Sequence, residues 1–222
     1  MKILFVSDVE SKALWDHYLP ERLADVDLIV SCGDLAASYL SFLATMAHCP
    51  VLYVPGNHDK TYGIRPPEGC VNIDRTIYTH HGIRILGLGG SMRYLGGPHQ
   101  YTENQMKLRI LAATPRIKRA RGFDILVTHS PIRGIGDGED LPHRGFACLQ
   151  PLIERYRPAY HVHGHVHEGY GKEFMREASL GTTRIINACE KYYLEVDEEA
   201  LEDRTRLAGN KCRWRDGSEL KG

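Results

Sequence analysis

Five polar clusters carry the side chains that hold metal ions and move protons: Asp8-Val9-Glu10, Gly33-Asp34, Gly56-Asn57-His58-Asp59, His129 and Gly164-His165-Val166-His167. Carboxylate oxygen and imidazole nitrogen together suit Mn²⁺, Zn²⁺ and Fe. The pairs Asp8/Glu10 and His165/His167 are spaced i, i+2. Extended backbone would turn both members of such a pair to one side, so each pair could grip one metal region. Histidine is over-represented, with 12 in 222 residues, which points to the same chemistry. Taken singly, blander readings compete. Asp8 and Asp34 have the form of turn or cap residues after strands. His161 and His163 read as packing or hydrogen bonding within a strand, and His17, His48, His80 and His81 as surface or satisfied core positions.

What sets the clusters apart is their placement. Each closes a short apolar run: Ile3–Val6, Leu28–Val30, Val51–Val54, Ile125–Val127 and Tyr160–Val162. Such runs, rich in β-branched residues and ended by Gly, Pro or polar residues, predict buried strands. Ligand sites in open α/β sheets collect beyond the carboxyl ends of strands. Helical spacing joins Leu35, Tyr39, Phe42, Leu43 and Met46, and again Phe146, Leu149, Leu152, Ile153 and Tyr156. A third helix is predicted over Glu103–Ala113, stopped near Pro115. The early order reads β-α-β-α-β, a layered α/β sheet with crossover helices. Thr76–Thr79, Ile83–Leu86, Thr183–Asn187 and Tyr192–Val196 predict further strands, so the sheets are mixed. Gly87-Leu88-Gly89-Gly90 lacks the spacing of a dinucleotide loop and reads as a tight turn. The organised domain is expected over 1–196, with 197–222 a charged, aperiodic tail.

Composition removes several function classes. The 28 basic and 28 acidic side chains cancel, so nucleic acid is not the expected partner. The apolar runs fall far short of the ~20 residues that span a bilayer. Met1-Lys2 leads straight into a strand-like run, and no signal peptide is expected. Six cysteines (Cys32, Cys49, Cys70, Cys148, Cys189 and Cys212) show no paired short spacing. Neither a disulfide framework nor a zinc–thiolate site is expected, and the reading is cytoplasmic.

The ordered set resembles the calcineurin-like metallophosphoesterase superfamily, whose pattern is Asp-x-His, Gly-Asp, Gly-Asn-His-Asp/Glu, a later His, then Gly-His-x-His. Residues 8–167 carry it. Glu10 departs from the pattern, standing where the family usually has His. The stretch His161–Gly171 also resembles a subgroup that includes class III cyclic-nucleotide phosphodiesterase-like proteins. The resemblance implies an α/β fold of two stacked mixed β-sheets flanked by helices, a four-layer αββα sandwich, with a dinuclear metal site at the strand ends. It implies one ion on Asp8, Asp34, His167 and Glu10, and a second on Asp34, Asn57, His129 and His165, with Asp34 bridging. His58 would then reach the leaving-group oxygen, and Asp59 would orient it.

Two divalent ions ~3.5–4 Å apart can hold a hydroxide for in-line attack at phosphorus. The expected cofactors are therefore two divalent ions, Mn²⁺ foremost, with Fe, Zn or Ni as alternatives. The expected activity is hydrolysis of a small phosphomonoester or phosphodiester. A nuclease and a metal-poor protein-binding scaffold of the same fold are the rivals. Loops 91–102 and 131–145 are long enough to line a pocket. In them Arg93, His143 and Arg144 are candidates for gripping the substrate phosphate, and His99 lies beside them. Tyr94 and Tyr101 read as residues that stack on a base or, more often for Tyr, simply pack.

Overall fold

The computed structural model describes residues 1–167 and 174–201. In chain order the strands are β1 (Lys2–Ser7), β2 (Leu28–Ser31), β3 (Val51–Tyr53), β4 (Cys70–Asn72), β5 (Ile77–His80), β6 (Ile83–Leu88), β7 (Ser91–Met92), β8 (Gln100–Tyr101), β9 (Ile125–Thr128), β10 (Tyr160–His163), β11 (Glu177–Leu180), β12 (Thr183–Asn187) and β13 (Glu190–Glu195). The α-helices are α1 (Ala37–Met46), α2 (Glu103–Arg119) and α3 (Leu149–Tyr156). One sheet runs β13-β1-β2-β3-β4 and a second β11-β12-β10-β9-β6-β5, while β7 and β8 pair separately. β1, β2, β3 and β4 are mutually parallel, as are β6, β9, β10 and β12; β13, β5 and β11 pair antiparallel.

The alternation within β1 explains the layering. Ile3 and Phe5 pack with Leu28, Val30 and Leu52 against Ile85, Ile125, Val127 and Val162 of the other sheet. Leu4 and Val6 point the other way, onto Tyr39, Leu40 and Leu43 of α1. The outer face of the second sheet is covered by Met106, Ala113 and Ile117 of α2 and by Leu149, Leu152 and Ile153 of α3. Strands buried on both faces read as continuous apolar runs. The result is the expected four-layer αββα arrangement of two mixed sheets.

Several local expectations are corrected. No α-helix links β1 to β2. Successive turns from Ser11 to His17 and one 3-10 turn at Pro20–Arg22 make that crossing, sealed by buried Leu14, Leu23 and Val26. The polar and proline-broken spacing there offers no continuous apolar stripe to a helix. No α-helix lies between β3 and β4 either, so the early order is β-β-α-β-β. Leu35 and Phe146 are buried ahead of α1 and α3 rather than within them. Gly87 and Leu88 belong to β6, and the turn falls at Gly89-Gly90.

Helix α2 does not stop at Pro115 but runs through it. Thr102 and Gln105 form a reciprocal capping box at its start, at 3.2 and 2.8 Å. Ala113 and Ile117 bury the stripe on either side of the proline. Leu111, whose carbonyl loses its helical partner to Pro115, is 65% exposed, so water can satisfy it.

Past Val196, Leu201 is buried in the core between the sheets, in a helical turn where Asp197 accepts from the Ala200 amide at 3.1 Å. Residues 202–222 of the expected tail lie outside the described residues. Cys32, Cys49, Cys70, Cys148 and Cys189 are free thiols. Among the described residues, no helix is long and apolar enough to cross a membrane.

Pro115 is exposed and its packing can be spared. Pro115→Ala is expected to stabilise the protein by about 1–3 kcal/mol, because it restores an N–H and removes a ring clash. Urea denaturation checks this, and a lower midpoint would show that the proline relieves strain instead of causing it.

Candidate metal centre

The polar clusters converge where the parallel strands of both sheets end. The Asp8 backbone N–H donates to the Gly33 carbonyl (3.1 Å), and the Gly164 N–H donates to the His129 carbonyl (3.0 Å). The Asp8 carboxylate crosses between the sheets to accept from the His165 backbone N–H at 2.9 and 3.0 Å. Such proximity demands glycine. A Cβ on Gly56 would overlap Asp34 Oδ1 and lie 2.7 Å from His129 Cε1. A Cβ on Gly164 would overlap Ser7 Oγ and lie 2.5 Å from Asp8 Oδ2. Asp8, Asp34 and His165 adopt positive φ (62, 58 and 71°). That conformation costs an ordinary L-residue about 1–2 kcal/mol, and such strain concentrates at functional sites.

A cleft of about 380 Å³ opens over these loops, lined by Asp8, Asp34, Asn57, His58, Tyr94, Pro142, His143, His165 and His167. At its base, donor atoms of Asp34, His129 and His165 all lie within 4.8 Å of one another. The second nitrogen of each ligating ring is already engaged. His129 Nδ1 donates to the Cys32 carbonyl (2.8 Å), which turns Nε2 to Asp34 (3.2 Å) and to Asn57 Oδ1 (3.1 Å). His165 Nε2 donates to the Pro142 carbonyl (2.7 Å), leaving the Nδ1 lone pair free. Fixing one nitrogen to present the other is how protein imidazoles are prepared for metals. The donor set, two oxygen-bearing acids with an amide and imidazoles, fits divalent cations.

Electrostatics follow from this packing. Burial opposes ionisation of Asp34, but His129 and the His58 backbone N–H outweigh it and bring the carboxyl to about 2. Burial would depress His129, yet Asp34, Asp8 and the Cys32 carbonyl raise it to about 9. Burial lowers His165 to about 3, so that ring is neutral. Desolvation raises Asp8 above the usual carboxylate range, against the attraction of His129.

Of the residues expected at the site, Asp8, Asp34, Asn57, His58, His129, His143, His165 and His167 are brought together. Glu10 is exposed and outside the cleft lining. Both i, i+2 pairs leave the extended backbone that the rule presumes (Asp8 φ 62°, His165 φ 71°), and only His165 and His167 still share the cleft. Asp59 is buried but does not serve His58. Its Oδ2 accepts from the backbone N–H groups of Gly56 (2.7 Å) and Asp34 (2.9 Å), clamping two ligand loops, while burial raises its carboxyl to about 6. Arg93 and Arg144 are exposed and outside the lining, Arg144 donating to the Glu139 carbonyl at 3.2 Å. His143 lines the cleft with Nδ1 on Asp140 at 2.6 Å.

Supporting contacts surround these residues. Asn187 donates to the Val166 carbonyl (2.6 Å) and so holds the Gly-His-x-His turn. Buried His161 donates Nε2–H to Thr128 Oγ1 (2.8 Å), and that hydroxyl donates to the Ser130 carbonyl (2.6 Å), bracing the loop around His129. Tyr94, read from sequence as stacking on a base or packing, lines the cleft. No spacing signal marks these residues, because each contact joins distant segments. Glu168–Gly171, part of the subgroup resemblance, lie outside the described residues.

A family model described as calcineurin-like phosphoesterase matches residues 1–169. The chain belongs to the calcineurin-like phosphoesterase family. UPF0046 protein K07C11.7 of Caenorhabditis elegans is 39% identical over 86% of this chain and 70% of its own length. Metallophosphoesterase domain-containing protein 1 of Homo sapiens is 30% identical over 67% of this chain and 44% of its own length. The chain spans 20% of the probable rhamnogalacturonate lyase C of Emericella nidulans, at 25% identity, so it covers less than half of several curated relatives. The fold is shared with TT1561 of Thermus thermophilus, with a TM-score of 0.60 at 17% identity over 85% of this chain and 89% of that one.

Two outcomes are expected of this geometry. A cation needs the neutral form of His129, whose pKa stands at about 9 in the metal-free protein. Binding therefore releases a proton below pH 9, and affinity should fall about tenfold for each pH unit between 9 and 7, levelling above 9. Mn²⁺ titrations across that range, with proton release followed in two buffers, check the slope. Glu10→Gln is expected to change Mn²⁺ affinity less than about threefold, whereas Asp8→Asn lowers it by about tenfold or more. Comparable losses in both would place Glu10 among the ligands.

Proposed function

We propose that this chain is a metal-dependent hydrolase of small phosphoesters, monoester or diester, built around two divalent ions with Mn²⁺ preferred. The observation that carries the reading is the convergence of Asp34, His129 and His165 donor atoms within 4.8 Å at the base of the cleft. Asp8, Asn57 and His167 stand on the cleft's walls as the remaining ligands. Asp34 is the residue to share between ions, since it is held ionised, with Oδ2 beside His129 and Oδ1 accepting from the His58 N–H. When bound, the ions supply Lewis acidity toward phosphoryl oxygens and a lowered pKa for water.

The protein's own part is positioning and proton transfer. The His58 backbone N–H donates to Asp34 Oδ1 at 2.7 Å, so the His58 side chain keeps a fixed relation to the ligands while remaining exposed at the cleft. It is the group proposed to protonate the leaving-group oxygen. Asp59 holds the Gly56 and Asp34 loops at the spacing this requires. The free thiols fit a reducing compartment, and cytoplasm is the proposed location.

Metal-stripped protein reloaded with Mn²⁺ is expected to hydrolyse aryl phosphate esters, and EDTA to abolish the activity. His58→Ala is expected to retain metal binding and to slow esters of poor leaving groups about 10²–10⁴-fold, with a smaller loss for good leaving groups. A panel of phosphomonoesters, cyclic nucleotides and oligonucleotides then separates the substrate classes. Activity that survives metal removal would defeat the proposal, and equal losses across the leaving-group series would remove His58 as the acid.

A further inference from the structure

We propose that Tyr94 is a positioning residue of the metal centre, acting through Asn57: its hydroxyl anchors the Asn57 amide beside the metal-binding donors. This rests on the reading of the cleft as a metal centre. An Asn side chain has one oxygen and one NH₂ on a terminus that can turn over, and only the oxygen can ligate a cation. Asn57 Nδ2 donates to the Tyr94 hydroxyl at 3.2 Å. With the NH₂ end so engaged, Oδ1 lies on the ligand side, 3.1 Å from His129 Nε2. The phenol can pair with either end of an amide, so what it fixes is the place of the terminus, and the contact with His129 is what sets the oxygen on the ligand side.

The loop that carries Tyr94 is built for this placement. Gln100 is buried, and its single Oε1 accepts from three consecutive backbone N–H groups: Tyr94 (3.2 Å), Leu95 (3.0 Å) and Gly96 (3.1 Å). The neighbouring Tyr101 ring lies 4.0 Å below the Arg109 guanidinium. One terminal nitrogen of Arg109 bonds both oxygens of Asp74, at 2.7 and 2.8 Å, and Asp74 also accepts from the Gly89 N–H at 2.8 Å. The base of the loop is therefore fixed to β6 and α2. Its neighbours Arg93 and Leu95 face solvent, Leu95 being 84% exposed, whereas Tyr94 turns into the cleft. Tyr94 belongs to none of the three apolar clusters among the described residues, so core packing does not account for its position.

The test is a double-mutant cycle read by Mn²⁺ titration of the full-length, metal-stripped chain, with melting temperatures compared to confirm folding. Tyr94→Phe is expected to weaken Mn²⁺ binding about 3–10-fold, the loss of one hydrogen bond that orders a ligand. In an Asn57→Ala background no amide is left for the hydroxyl to hold, so the same change should cost less than about twofold. Gln100→Met, which frees the loop without touching Asn57, is expected to show the same dependence on the Asn57 background. Unchanged affinity in Tyr94→Phe, or equal loss in both backgrounds, would overturn the inference. Failure of the wild-type chain to bind Mn²⁺ would overturn the metal-centre reading itself, and the inference with it.

Discussion

The Asp8 carboxylate reaching from one sheet to the His165 backbone N–H of the other is the contact on which the site depends. It requires the carboxyl ends of two separate parallel strand sets to come within hydrogen-bonding distance. Side chains from one loop then occupy space that a Cβ on Gly56 or Gly164 would need. The apolar packing between the sheets sets their separation, and the left-handed backbone at Asp8, Asp34 and His165 turns each donor inward. Tight interiors do not deform continuously, so this geometry is kept rather than reached on binding.

The same closeness creates an electrostatic problem. Carboxylates and imidazoles are gathered in a poorly hydrated space, where an unpaired charge is costly. In the metal-free protein the solution is an ion pair, with Asp34 held at about 2 and His129 at about 9. His165 escapes by remaining neutral, its pKa lowered to about 3. A divalent cation can take the place of the His129 proton, so stability without metal and readiness for metal draw on the same residues.

Around the ligands lies a layer of residues whose partners are mostly backbone. Asp59 bonds the amides of Gly56 and Asp34, Asn187 bonds the Val166 carbonyl, and Thr128 bonds the Ser130 carbonyl. Gln100 bonds three amides of the loop bearing Tyr94. Each converts a flexible connection into a defined one, which is how a site assembled from loops gains the precision of a rigid scaffold.

The sequence by itself determined the fold class and most of the residues that gather at the candidate metal centre. Apolar runs such as Ile3–Val6 and Ile125–Val127 dictate buried strands, and polar clusters at their ends have few places to go but one rim of the sheets. Local rules failed where local geometry is overridden. Pro115 does not end α2 because the buried stripe of Ala113 and Ile117 continues past it. Glu10 does not join Asp8 in the cleft, and neither i, i+2 pair keeps the extended backbone from which a shared side would follow. The partner of Asp59, the roles of Asn187 and Gln100, and the approach of Tyr94 to Asn57 were decided only by the tertiary structure. These are contacts between residues far apart in the chain, and no periodicity or short spacing encodes which distant backbone group a buried polar side chain will meet.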